Sequence, residues 1–270
     1  MKYTIKDLRK DFPNDDVCLN YIMARKCPDF KGYRVKGRKS YANTKGEHVN
    51  PLKGTIFEKS KTPLTLWFHA IFLFSSSKNG VSAKELQRQL GVTYKCAWRI
   101  AHNIRKLMEQ DGDLLTGTVE VDETYFGKKG TRAKGDAFKN KSALMGMVER
   151  EGDIRVNTIP NRETHIVLNQ IRDNVEKGSH VMSDEYSAYK KLSRLGYGSQ
   201  RVKHGKKHWV RANVHTNTIE GFWGQLKRSI RGTYHFVSSK HLQSYVDEFA
   251  FRYNLRTSSV PVFEVLLSRI

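Results

Sequence analysis

Beyond Gly117 the sequence leaves helical spacing and alternates short β-type runs with single helical ones, which narrows the possible folds most. Thr118 to Tyr125, Ala143 to Val148 and Ile154 to Ile159 carry strand patterns. Glu163 to Glu176 is a helix with Ile166, Val167, Gln170 and Ile171 along it, and His180 to Ser183 is a further strand. Three strands, a helix and a fourth strand predict an α/β domain and exclude a helical bundle. A basic loop with Lys128, Lys129, Arg132 and Lys134 follows the first strand. Leu242, Tyr245, Val246, Phe249 and Tyr253 define an amphipathic helix that closes the region.

Three acids in this region occupy positions where apolar patterning favours other residues. Asp122 lies in the first strand, within Val119-Glu120-Val121-Asp122, and Asp184 closes the strand Val181-Met182-Ser183. Glu220 lies in the first turn of the helix that Thr216-Asn217-Thr218 introduces. A hard divalent cation such as Mg²⁺ takes oxygen ligands, so a few convergent carboxylates make its usual protein site. Two such ions can clamp the attacking and leaving oxygens of a phosphodiester. On the helix, Ile219, Phe222, Leu226 and Ile230 share an apolar face, and Glu220, Gly224, Lys227 and Arg231 a neighbouring stripe. A carboxylate, a bare glycine and a cation in that order suit a metal at one end and a phosphate at the other. The competing reading is a solvated face with ordinary end-of-element acids. Strand alternation points Glu123 to the face opposite Asp122.

Upstream, residues 61–112 read as helical. Thr62 is the expected cap and Pro63 the first residue of an apolar helix through Phe74. Ser82 to Glu85 forms a capping box for a short helix with Leu86 and Leu90 inward. After Gly91, Thr93 caps a longer helix with Ala97, Ile100, Ile104 and Leu107 on one face. Helix, glycine-containing turn, helix is the helix-turn-helix spacing, which a plain helical hairpin shares. The second helix's other face carries Tyr94, Lys95, Arg99, His102 and Arg105. Residues 1–60 hold two short helices and then small hairpins rich in glycine and cations.

Charge decides what such a chain meets. Lys and Arg number 48 against 27 acidic residues, a formal net charge of +21 spread along the chain. That excess calls for a polyanionic partner, and nucleic acid fits better than a membrane surface because no single amphipathic helix carries it. A hydrophobic fraction of 38% with only 6 prolines excludes a disordered or fibrous chain. No apolar run reaches the roughly 20 residues that span a bilayer. The N-terminal sequence lacks the apolar core of a secretory signal, and three cysteines form no disulfide framework, so a cytoplasmic location is expected.

The segments VEVDETYFGKK, MSDEYSAYKKL and VHTNTIEGFWGQLKRSIRGTYHFVSSKHLQSYVDEFAFRYN closely resemble the ISXO-like family of bacterial insertion-sequence transposases. GTIFEKSKTPLTLWFHAIFLF and GVSAKELQRQLGVTYKCAW are similar to the family's helical region, so the likeness covers essentially the whole chain. The resemblance implies a DDE-type enzyme with a ribonuclease-H-like catalytic domain over residues 113–270. A helix-turn-helix DNA-binding region (61–112) and an N-terminal ribbon-like β-unit (1–60) would precede it. By position, Asp122, Asp184 and Glu220 match the catalytic, metal-holding acids and Lys227 the associated lysine. The implied cofactor is a pair of Mg²⁺ ions, replaceable by Mn²⁺ and bridged by Asp122, with Lys227 holding a phosphate. The implied activity is cleavage at the terminal inverted repeats of an insertion sequence and strand transfer into target DNA, by a homodimer or larger oligomer. The implied setting is the bacterial cytoplasm, with the enzyme on the nucleoid when bound to DNA. Thr93, Lys95, Arg99, Lys227, Arg228 and Arg231 are the candidate DNA contacts. A domesticated DNA-binding protein or repressor without catalysis is the alternative, which an intact set of acids disfavours.

One departure concerns zinc. The family carries a four-cysteine ribbon near the N-terminus, whereas only Cys27 matches here, and the second knuckle is replaced around Ala42 and Lys45. Cys18 lies in an amphipathic helical stretch, so Cys27 and His48 are left, two ligands short of a closed site. The expected unit is a zinc-free, degenerate ribbon held by Phe30, Tyr33, Val35, Tyr41, Val49 and Ile56. Trp209 and Trp223 are expected to pack in the interior. His215 and His235 are not assigned to catalysis.

Overall fold

A computed structural model describes residues 3–127, 141–201 and 215–270. The chain divides into two compact units, residues 1–107 with 258–270, and residues 108–257. The last helix therefore groups with the first unit, whereas the sequence predicts one domain from 113 to 270.

In the first unit, α1 (Ile5–Asp11) opens with a reciprocal cap between Thr4 and Asp7, and Asn14 caps α2 (Asp15–Lys26). The apolar helix α3 spans Leu64–Ser76 with Trp67, Phe68, Ile71 and Phe74 buried. Its cap differs from the expected one. Pro63 takes the cap position, and Asp15 accepts the Leu64 and Thr65 N–H groups at 3.0 and 2.9 Å. Thr62 instead sits 3.3 Å from the Cys96 Sγ. A cap supplied from about fifty residues away leaves no local signal.

Helices α4 (Ala83–Leu90) and α5 (Tyr94–Lys106) are joined through Gly91, which takes a left-handed conformation at φ 65°. Ser82 accepts the Glu85 N–H, but the Glu85 carboxylate turns to Arg88 and Gln89, so only half of the expected capping box forms. Strands β1 (Tyr33–Arg34), β2 (Tyr41–Ala42) and β3 (His48–Val49) make a small antiparallel sheet in that order. Tyr41, Ala42, Leu52 and Phe57 are buried there, whereas Tyr33, expected inside, is 61% exposed. Phe57 packs edge-on against Trp67, 5.4 Å between ring centres, so α3 gives the little sheet its support. Helix α9 (Val262–Ser268) completes the unit, with Phe263 stacked on Tyr3.

The second unit is built on a five-stranded sheet. Its strands are β4 (Thr118–Gly127), β5 (Lys141–Glu149), β6 (Ile154–Ile159), β7 (His180–Ser183) and β8 (Gly198–Arg201). Their order is β6-β5-β4-β7-β8. β5 runs antiparallel to both neighbours, while β7 is parallel to β4 and β8 to β7. The sheet is thus mixed, and the α/β expectation holds. β8 and the 3₁₀ segment Ser187–Leu195 were not legible. Gly-Ser-Gln-Arg has neither β-branched nor aromatic residues and lies at a sheet edge, where pairing alone defines the strand.

Both faces of the sheet are covered. Val119, Val121, Met145 and Met147 pack with Val167 and Ile171 of α6 (Thr164–Asn174) and with Tyr189 and Leu192 of the 3₁₀ segment. On the other face Leu144, Val148, Ile154 and Val156 meet α7 (Asn217–Ser229) and α8 (Ser239–Asn254) through Ile219, Trp223, Leu226, Leu242 and Val246. A π-helical turn, Ile230–Tyr234, continues α7. Among the described residues no helix is long and apolar enough to cross a membrane.

Candidate metal centre and nucleic-acid contacts

The centre forms where β7 stops and β4 continues. β7 pairs with β4 only along Thr118, Val119 and Glu120, and Asp184 follows the last residue of β7. Asp122 and Glu123 therefore lie on β4 beyond that pairing. Asp122 faces α7, where its Oδ2 accepts the Trp223 indole N–H at 3.0 Å. Glu123 faces the other way, as alternation requires, and accepts the Tyr189 hydroxyl at 2.6 Å and the Arg162 guanidinium at 2.8 Å. Asp184 accepts the Tyr186 N–H at 2.9 Å and lies 4.0 Å from the same guanidinium, which also rests over the Tyr186 ring. Opposite faces usually keep adjacent side chains apart. Past the end of β7 the two directions can converge, and Asp122, Glu123 and Asp184 each offer an oxygen within 4.8 Å of the others.

That convergence has an electrostatic cost. Burial, then the charges of Glu123 and Asp184, push the Asp122 carboxyl up to about 6. Burial also raises Glu123, against the opposing pull of the Tyr189 and Arg162 bonds, and it drives the Tyr189 hydroxyl well above its ordinary range. Three carboxylates without thiolate or imidazole among them are a donor set for a hard divalent ion, whose charge would offset the repulsion that raises Asp122. Among the described residues this is the one such group of three or more.

Glu220 stands outside the group. Its exposed side chain accepts the Thr216 hydroxyl at 2.9 Å. The helical period nevertheless puts Glu220, Trp223 and Lys227 within one sector of α7. Trp223 reaches Asp122, and Lys227 donates to the Thr124 hydroxyl on β4. Burial lowers Lys227, while the nearby Asp122 charge acts in the opposite sense. Glu120, two residues before Asp122, is an acid whose place sequence reasoning missed. Its fully buried carboxylate accepts the Thr218 and Ile219 N–H groups at 2.8 and 3.2 Å and an Arg150 bond at 3.1 Å, so a strand residue caps α7. The signal was present in part: Glu120 lies i,i+2 from Asp122 and so shares its face of the strand. Nothing local marked Arg162 or Tyr189.

Residues 114–254, more than half of the chain, match the model of the ISXO2-like transposase domain. The chain belongs to this transposase family. It is 27% identical over 222 residues to an uncharacterized protein in transposable element ISH50 of Halobacterium salinarum, covering 75% of this chain and 74% of that one. An uncharacterized transposase-like protein of Haemophilus influenzae is 26% identical over 96 residues, 36% of this chain and 76% of the relative. A chain in a cryoEM structure of the simian T-cell lymphotropic virus intasome in complex with PP2A regulatory subunit B56 gamma aligns at a TM-score of 0.30. Identity there is 14%, over 61% of this chain and 59% of that one.

The transposase's expected DNA contacts fall into different environments. Thr93 and Lys95 are exposed at the start of α5, and Arg228 and Arg231 are exposed on and just after α7. Arg99 turns inward, donating to Ser60 and Thr62 at 3.1 and 3.4 Å and lying over the Trp67 ring. Arg105 was placed on the outer face of α5 but is 1% exposed and donates to the Val81 carbonyl. Trp98, unassigned in the sequence reading, is 39% exposed with His102 against its ring. Of the aromatic residues expected inside, Trp223 is buried as anticipated, and its N–H has the specific partner described above. The basic loop with Lys128, Lys129, Arg132 and Lys134, and Trp209, lie outside the described residues.

Proposed function

We propose that this transposase cuts and joins DNA phosphodiesters at a divalent-metal centre on the Asp122–Asp184 end of the sheet. The observation that carries the reading is the convergence of Asp122, Glu123 and Asp184 beyond the end of β7. The strand order, with three parallel strands (β4, β7 and β8) and an antiparallel flank (β5 and β6), supports a ribonuclease-H-like reading of the second unit. Asp122 and Asp184, with Glu220 from α7, would hold two Mg²⁺ ions. Bound ions of this kind stabilise charge on the attacking and leaving oxygens of a phosphodiester.

The chain's own residues supply position. Trp223 fixes one Asp122 oxygen, and Arg162 holds Glu123 and stands beside Asp184. Lys227 presents a cation on the α7 face next to Asp122, suited to orient a phosphate at the cut, and Arg228 and Arg231 extend that charge along the helix. In the first unit α4 and α5 read as a helix-turn-helix, with Thr93 and Lys95 at the exposed start of its second helix. Terminal inverted repeats are the DNA such a unit would select, and handling two ends together calls for at least a homodimer. The setting is the cytoplasm.

Strand cleavage and transfer with labelled element ends tests the reading. Asp122→Asn, Asp184→Asn and Glu220→Gln should each nearly abolish Mg²⁺-dependent cutting while end binding persists. Cleavage that survives in EDTA would overturn the metal centre. Near wild-type cutting by one variant would remove that residue from it.

A further inference from the structure

An indole ring can donate through a single N–H, and Trp223 directs its own at one oxygen of Asp122. The ring is otherwise buried against the sheet, T-shaped to Phe222 at 5.5 Å between centres. Its place depends on the strand beneath it. The register partner of Asp122 on β5 is Gly146. A Cβ at Gly146 would stand 2.6 Å from Trp223 Cζ2, 2.8 Å from its Cη2 and 2.6 Å from Ile219 Cδ1, closer than packed atoms allow. The two Trp223 atoms belong to the far, benzo ring of the fused indole, which reaches beyond where a single phenyl ring on the same Cβ would end. A phenylalanine would fill the same apolar face without the N–H. The larger ring, over a glycine, sets the donor against Asp122 Oδ2.

We propose that Trp223 is a positioning residue for Asp122, seated by Gly146, and that the pair holds the carboxylate in its metal-binding orientation. The inference rests on the reading of Asp122 as a metal ligand. Partners that orient a ligand in this way typically govern metal affinity by 10- to 100-fold.

The test is Mn²⁺ affinity of the full chain, measured by calorimetric titration without DNA, beside thermal melting without metal. Trp223→Phe should keep a cooperative melt and weaken Mn²⁺ binding by about tenfold or more. Gly146→Ala should weaken binding in the wild-type background, because it displaces the ring. Added to Trp223→Phe it should weaken binding less than in the wild-type background, since the contacts with the indole are gone and only the one with Ile219 Cδ1 remains. Wild-type affinity in Trp223→Phe overturns the proposal, as does a Gly146→Ala effect of equal size in both backgrounds. Should Trp223→Phe fail to fold, Gly146→Ala alone decides, and unchanged affinity there overturns it. Asp122→Asn separates the two levels. If it binds Mn²⁺ as the wild type does, the metal assignment itself falls, and this inference with it.

Discussion

At the scale of single residues, Asp122 makes stability depend on pH in the acid range. Its carboxyl rises from an ordinary 3.8 to about 6 in the folded chain, so the folded state binds that proton more tightly than the unfolded one. The group therefore favours folding below about pH 4, and the benefit disappears as pH rises through 6. A rise from 3.8 to about 6 corresponds to roughly 3 kcal/mol. Without metal, Asp122→Asn should melt higher than the wild type at pH 7.5 and lose part of the wild type's destabilisation between pH 4 and 6. Adding Mn²⁺ should raise the wild-type melting temperature much more than that of the variant. Differential scanning calorimetry across that pH range checks both. A wild-type melt indifferent to pH in this window would show that burial and the neighbouring carboxylates do not disfavour the charged Asp122 as the geometry requires.

At the scale of elements, two helices owe their placement to distant acids. Glu120 reaches from β4 to the first turn of α7 and also meets Arg150, with its side chain wholly buried. Glu120→Ala removes the cap and leaves Arg150 without that partner, so it should cost about 3 kcal/mol of stability by denaturant titration. It should also reduce cleavage, because α7 carries Trp223 and Lys227. On α5, Lys95 and Arg99 are four residues apart but are engaged differently. Lys95→Ala should weaken binding to element ends with little change in melting temperature. Arg99→Ala should lower the melting temperature first, because it breaks bonds to Ser60 and Thr62. A gel-shift titration beside a melting curve separates the two effects. Equal losses of binding with equal stability would return Arg99 to the DNA-facing side.

At the scale of the molecule, the net charge of +21 sets the partner and the conditions. If end binding neutralises six or more phosphates, affinity should fall about a thousandfold or more between 50 and 200 mM salt. A titration series over that range reads the number of contacts from its slope. A flat response would mean that the charge is spent elsewhere. Each unit has its own core, so the cations and the carboxylates can be altered separately by substitution.

The periodicities from Thr118 to Ser183 were enough to locate four strands and the α6 helix, because alternating side chains report which face of a strand is buried. The same local patterns found the buried faces of α5, α7 and α8 and singled out Asp122 and Asp184. What they could not carry was any relation between residues far apart in sequence. Asp15 capping α3, Arg99 turning toward Ser60, and Arg162 joining Glu123 to Asp184 depend on chain segments brought together only by folding. β8 was invisible for the same reason, since its identity comes from pairing with β7. Alternation assigned Glu123 to the opposite face correctly and still missed its nearness to Asp122. That proximity arises because β7 ends while β4 runs on, and the end of one strand beside another is set by tertiary structure alone.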